Sequence, residues 1–179
     1  MCLSDTFRLL FGSVLLVSIA SGQVKTKLYV SPEGCFKTYI LATGRVLTSR
    51  GLVEDPTVNA IMKDAVSAQM GALKIAETDK SQAQMEVRFL GGAGAGLQVD
   101  SPTMGDYMVW DIGGTQAVPG RTYKKSHLVI GVFDLKSNQT VWAAQCTDKF
   151  GDPNEIRKRL EKAVAKAFAK FPKKLVCGT

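Results

Sequence analysis

Side chains able to do chemistry are few in this sequence, and their spacing brings no obvious set together. The sole imidazole belongs to His127. A serine or cysteine nucleophile would need that imidazole within hydrogen-bond reach, oriented by a third group. His127 stands where a strand is expected to begin, and no Gly-x-Ser-x-Gly elbow carries a serine toward it. The carboxylates Asp100, Asp106, Asp111, Asp134 and Asp148 could pair for acid–base work if they converged in space. Their positions read instead as turns and strand ends.

Cys35, Cys146 and Cys177 show no Cys-x-x-Cys spacing, and with one histidine in the chain they supply no plausible zinc ligand set. Gly91-Gly92-Ala93-Gly94-Ala95-Gly96 lacks the glycine offsets, the Lys and the helix start of a phosphate-cradling loop. It reads as an excursion between strands. No catalytic, cofactor-binding or metal-ligating residue is therefore assigned from the sequence, and no cofactor is expected.

Charge is the more informative chemistry. The chain is +7 overall, and nine basic residues against three acidic ones fall between Lys149 and Lys174. A helix there would carry Arg157, Lys158, Lys162, Lys166 and Lys170 largely off its apolar stripe, as candidate contacts to an anionic surface. Lysine-rich solvated faces are also common on packed helices. No aromatic side chains interleave with these residues as a base-stacking platform requires, so specific nucleic-acid binding is not expected.

The elements that must position these groups follow from periodicity. Asp55-Pro56 gives an N-cap followed by proline at the first helical position. Val58, Ile61, Met62, Ala65, Val66 and Met70 then recur at helical spacing, with Gly71 as the stop. A second helix is expected from about Asp152 to Phe171, with Ile156, Leu160, Val164, Phe168 and Phe171 as its stripe and Pro172 as its end.

Strands are expected at Lys27–Val30 and Phe36–Leu41, separated by the turn former Ser31-Pro32-Glu33-Gly34, and near 85–90, 107–112, 127–134 and 140–147. The last two form a hairpin through Leu135–Gln139. Residues through Gly44 and Gly51 read as loop. Alternation places Met85, Val87 and Phe89 on one face, and Trp142, Ala144 and Cys146 on one face. The sequon Asn138-Gln139-Thr140 falls at the hairpin tip. The fold class is α+β: an antiparallel sheet of about four to six strands with two amphipathic helices packed on one face.

The N-terminus reads as a bacterial-type signal peptide over residues 1–22, with Arg8, a twelve-residue apolar run from Leu9 to Ala20, and small residues before Gln23. That run is too short to span a bilayer of about 30 Å comfortably. Residues 23–179 then form one domain, with a short flexible tail after 172 and no transmembrane segment. Export would put Cys35, Cys146 and Cys177 in an oxidising compartment. Cys35 and Cys177 are the expected pair, if any pair forms. Cys146, on the face of Trp142, stays a thiol.

Four stretches in order carry a resemblance: Phe36-Lys37-Thr38-Tyr39, Ser81-Gln82-Ala83-Gln84-Met85-Glu86-Val87, Val141-Trp142-Ala143, and Phe168-Ala169-Lys170-Phe171-Pro172. From Phe36 to Pro172 the chain resembles the domain of unknown function 4136, a family of bacterial exported proteins and envelope lipoproteins. Members usually carry Asp where Gln84 stands, and a lipobox cysteine that this chain lacks. The resemblance implies a periplasmic or secreted envelope protein and supplies no catalytic residues. The expected role is a non-enzymatic module that binds an envelope protein or surface component. The alternatives are a hydrolase-like enzyme and an anionic-surface binder acting through the basic helix.

Overall fold

The computed structural model describes residues 22–29, 32, 34–48, 51–93, 126–148 and 154–177. Among them the strands are β1 (Gln23–Leu28), β2 (Thr38–Leu41), β3 (Arg45–Thr48), β4 (Gly51–Val53), β5 (Ala76–Glu77), β6 (Met85–Ala93), β7 (Ser126–Asp134) and β8 (Gln139–Asp148). The helices are α1 (Pro56–Ala72) and α2 (Ile156–Phe168), and a 3-10 turn follows at Lys173–Leu175. All eight strands join one mixed sheet of order β1-β8-β7-β6-β2-β5, with β3 on β6 and β4 on β3.

The fold class is α+β, but the sheet is larger than four to six strands and is not wholly antiparallel. β1, β8, β7 and β6 pair antiparallel. β2 and β3 run parallel to β6, and β2 runs parallel to β5. The physical reason is the long connection: β4 and α1 lie between β3 and the strands β5 and β6 in the chain, a span long enough to bring β5 and β6 back parallel to β2 and β3.

Residues 45–48 and 51–53, read as loop, are strands held by their ladders. Gly91-Gly92-Ala93, read as part of an excursion, continues β6 opposite Leu128, His127 and Ser126. The strand expected near 107–112 lies outside the described residues, as do Gly94–Gly96 and two residues of the expected turn, Ser31 and Glu33.

α1 begins as its sequence dictates. Asp55 Oδ1 accepts from the backbone N–H groups of Thr57 and Val58 at 2.9 and 3.0 Å, and Pro56 occupies the first turn. Gly71 does not stop it. The helix runs through Ala72 and reverses at Lys74, whose φ is 60°. α2 is shorter than expected, with Glu155 at its N-cap making no side-chain cap bond and Ala169 at its C-cap. Asp152 and Pro153 lie outside the described residues.

Register places Met85, Val87 and Phe89 of β6, Leu128, Ile130 and Val132 of β7, and Trp142, Ala144 and Cys146 of β8 on one face. Together with the buried stripes of α1 and α2 they make one core cluster. Trp142 is its largest member, with ring centroids 5.6 Å from Phe168 and 5.1 Å from Phe171. Asn59 ties α1 to the β2–β3 connection, its Oδ1 accepting from Gly44 N–H at 2.8 Å and its Nδ2 donating to Gly44 O at 3.2 Å. A Cβ at Gly44 would stand 2.2 Å from the Phe89 ring, so the close approach requires glycine there.

The segment after 172, expected as a flexible tail, is instead docked. Leu175 and Val176 are buried, Phe36 N–H donates to Leu175 O at 2.8 Å, and Cys177 N–H donates to Phe36 O at 3.3 Å. Val176 forms a parallel bridge with Phe36. Apolar side chains at 175 and 176 give this short segment something to bury, which a loose tail would lack. Among the described residues no helix is long and apolar enough to cross a membrane.

Candidate functional site

A concavity among the described residues opens where β6 and β2 start and β7 turns into β8. Its volume is about 850 Å³, and its walls include Pro32, Cys35, Phe36, Gln84, Asp134 and Lys136. Each wall has a local cause. The β7–β8 turn is built by Asp134, whose Oδ1 accepts from Lys136 N–H at 2.9 Å and whose Oδ2 accepts from Ser137 Oγ at 2.8 Å. Asn138 takes the left-handed conformation, φ 57°, at the exposed tip, whereas Thr140 of the same sequon is buried.

The opposite wall is fixed by Gln84. Its Oε1 accepts from Lys37 N–H at 2.7 Å, and its N–H approaches Thr38 Oγ1 at 3.2 Å. The rim between these walls is a disulfide. Cys35 and Cys177 are bonded with Cα atoms 4.9 Å apart, across 142 residues of sequence. The bond ties the segment entering β2 to the segment leaving the 3-10 turn, beside Phe36.

Amide, hydroxyl, ammonium and carboxylate side chains stand on the walls of the cleft. Its carboxylate, Asp134, is already occupied by the two turn hydrogen bonds. His127 lies at the other end of β7, seven residues away, a strand length of roughly 23 Å. There the His127 Nδ1 sits 3.2 Å from Gln145 Nε2 and 3.1 Å from Thr147 Oγ1. Asp148 is likewise at that far end, where Arg159 bonds it at 3.0 Å. Asp100, Asp106 and Asp111 lie outside the described residues. Among the described residues no group of three His, Cys, Asp or Glu side chains could hold a metal ion.

The third cysteine, Cys146, is a buried thiol whose Sγ reaches Ala163 O at 3.6 Å. Burial pushes this thiol up to about 12, against the pull of Lys166 and Lys170. It is inert at neutral pH.

The five basic residues expected on this helix divide, Arg157, Lys158, Lys162 and Lys166 lying on α2 and Lys170 just past its end. Arg157 is engaged at the α1–α2 seam, 3.2 Å from Asp64 and 3.4 Å from Glu161. Lys158, Lys162, Lys166 and Lys170 recur every four residues and form a stripe with no ion pair among the described residues. Lys170 donates to Val24 O at 2.8 Å. Sequence reasoning named these five and missed the cleft, whose walls come from three separate parts of the chain.

The family model described as "Domain of unknown function (DUF4136)" matches residues 34–173. No curated protein is a significant match to the chain. Among solved structures, a DUF4136 family protein from Bacteroides thetaiotaomicron superposes with a TM-score of 0.57 at 17% identity, over 87% of this chain and 98% of that one. A PelC dodecamer from Paraburkholderia phytofirmans superposes at 0.50 and 12% identity, over 87% and 100%. A PDZ domain protein from Parabacteroides distasonis gives 0.52 and 10% identity, over 85% of this chain and 36% of that one. At these identities the likeness is one of fold. The stretches of sequence that resemble the family sort by place. Trp142, Phe168 and Phe171 meet in the core, while Phe36 and Gln84 stand on the cleft.

Proposed function

This chain belongs to the DUF4136 family, and we propose that it is an exported cell-envelope protein that works as a binding module and not as a catalyst. The observation that carries this reading is the Cys35–Cys177 bond. Such a bond persists in the periplasm or outside the cell and is reduced in a cytosol. The apolar run Leu9–Ala20 ahead of Gln23 supports the same location as a cleaved leader.

Binding is favoured over catalysis by the cleft itself. Two stretches that resemble the family supply its walls, yet its carboxylate is held in a turn and the imidazole is a strand length away. A partner of neutral polar character suits the amide and hydroxyl groups of Gln84, Ser137 and Gln139 on its walls.

Fractionation with intact-mass analysis tests the reading. The expected product lies outside the cytoplasm, begins near Gln23, and is lighter than its fully reduced form by the two hydrogens of one disulfide. Cytoplasmic protein that keeps residues 1–22 and has every cysteine reduced would overturn it.

A second reading rests on the stripe of Lys158, Lys162, Lys166 and Lys170, which makes no ion pair among the described residues and suits contact with an anionic surface. Co-sedimentation with anionic vesicles, falling with salt and lost when all four lysines become Gln, is its expected outcome.

A further inference from the structure

We propose that the Cys35–Cys177 bond is a thiol-exchange site that works in the folded protein: a small-molecule thiol attacks Cys35 from the cleft, and Cys177, held in place without the bond, closes it again. This goes beyond the binding role proposed above and draws from that reading only that the bond forms.

Exposure decides which sulfur is attacked. Cys35 is exposed and stands on the wall of the cleft, whereas Cys177 is half-buried. A concavity of about 850 Å³ has room at that wall for a thiol of tripeptide size. Exchange needs the incoming thiolate to reach one particular sulfur, and its rate follows access. Cys146 takes no part, because it is buried on β8 with its Sγ against Ala163 O of α2.

The step balances with the thiol as sole co-reactant. The thiolate sulfur bonds to Cys35 Sγ, the Cys35–Cys177 bond breaks, and its electron pair leaves on Cys177 Sγ as a thiolate. Cys177 then attacks Cys35 Sγ, re-forms the bond and expels the thiol unchanged. The competing step is attack by a second thiol on the sulfur of the first. That step frees Cys35 as a thiolate and releases the oxidised thiol dimer, so two thiols supply the two electrons of a full reduction.

Reclosure is favoured because contacts other than the bond hold Cys177 beside Cys35. The Phe36 N–H donates to Leu175 O, and the Phe36 carbonyl accepts from Cys177 N–H. Leu175 is fully buried and Val176 nearly so, both within the core cluster. A few residues earlier Phe171 packs edge-on against Trp142. Once the bond opens, the Cα of Cys177 therefore stays near the 4.9 Å separation at which the bond forms. Its thiolate meets Cys35 at the high local concentration of a group fixed in place.

The test starts from exported protein whose mass shows the bond intact, so a failure of the export reading is seen before any thiol is added. The rate of reduction should rise in proportion to dithiothreitol concentration and should not slow in sucrose, which strengthens the fold. In the reduced protein the amides of Phe36 and Cys177 should keep their protection against hydrogen exchange. With oxidised glutathione, Cys177→Ser should take up one glutathione on Cys35 at least about tenfold faster than Cys35→Ser takes one on Cys177. A reduction rate that levels off with dithiothreitol and falls in sucrose overturns the proposal, since attack then waits for unfolding. So do amides at 36 and 177 that exchange as in an unfolded chain once the bond is reduced, or equal uptake by the two variants. The first two readouts use the unaltered chain and hold even where a variant fails to fold.

Discussion

Cys146 faces the helices from β8, and its neighbourhood makes the thiol costly to ionise. In the unfolded chain a thiol ionises near 9, whereas in the folded protein burial moves this one to about 12. The folded state therefore holds a proton that the unfolded state releases between those values. Stability from this group is fully present below about pH 9 and is lost as pH rises through about 12. Tyr39 adds to the trend above pH 10, because burial raises its phenol as well, with Ser67 and Glu77 as its hydrogen-bond partners. Urea midpoints measured from pH 8 to 11 should fall, and Cys146→Ala should fall less steeply while starting lower because it leaves a small cavity. Equal slopes for the two proteins would show that the thiol is not the source.

At the scale of elements, what could be read from the sequence was whatever is specified locally. α1 announces itself through Asp55, Pro56 and the spacing of Val58, Ile61, Met62, Ala65, Val66 and Met70, all of which are buried. The β7–β8 hairpin is equally plain, because alternation runs through two long strands across a short turn. β3 and β4 were illegible for the opposite reason. Arg45–Thr48 and Gly51–Val53 are too short to show a period, and the parallel bonds to Leu90, Gly91 and Gly92 that make β3 a strand come from far along the chain. The cleft was hidden in the same way, since Gln84 and Asp134 become neighbours only once β6 pairs with β7. Local specification also has a measurable worth. Asp55→Ala removes the acceptor for Thr57 and Val58 N–H and should cost about 1 kcal/mol in urea unfolding, while Asp55→Asn should cost less because it retains a capping oxygen. Equal losses for the two variants would place the effect in the carboxylate charge instead of the cap.

For the whole molecule, the decisive feature is that the last residues of the fold return to the strand that opens β2. Leu175 and Val176 pack against the core beside Phe36, and the disulfide then fastens the two segments. Packing and cross-link can be separated. A chain ended after Pro172 loses both, whereas Cys177→Ser loses the cross-link alone. Closing a loop of 142 residues contributes up to about 5 kcal/mol. Burying each of the two apolar side chains contributes roughly 1.5–3 kcal/mol. The shortened chain should therefore be less stable than Cys177→Ser by at least about 2 kcal/mol. The gap should persist under reduction, where the unaltered protein falls to the level of Cys177→Ser and the shortened chain stays below both. If instead the shortened chain and Cys177→Ser unfold at the same urea concentration, residues 173–176 do no more than carry the sulfur to Cys35. The closure of the fold would then rest on one covalent bond, and the protein would lose that stabilisation wherever the bond is reduced.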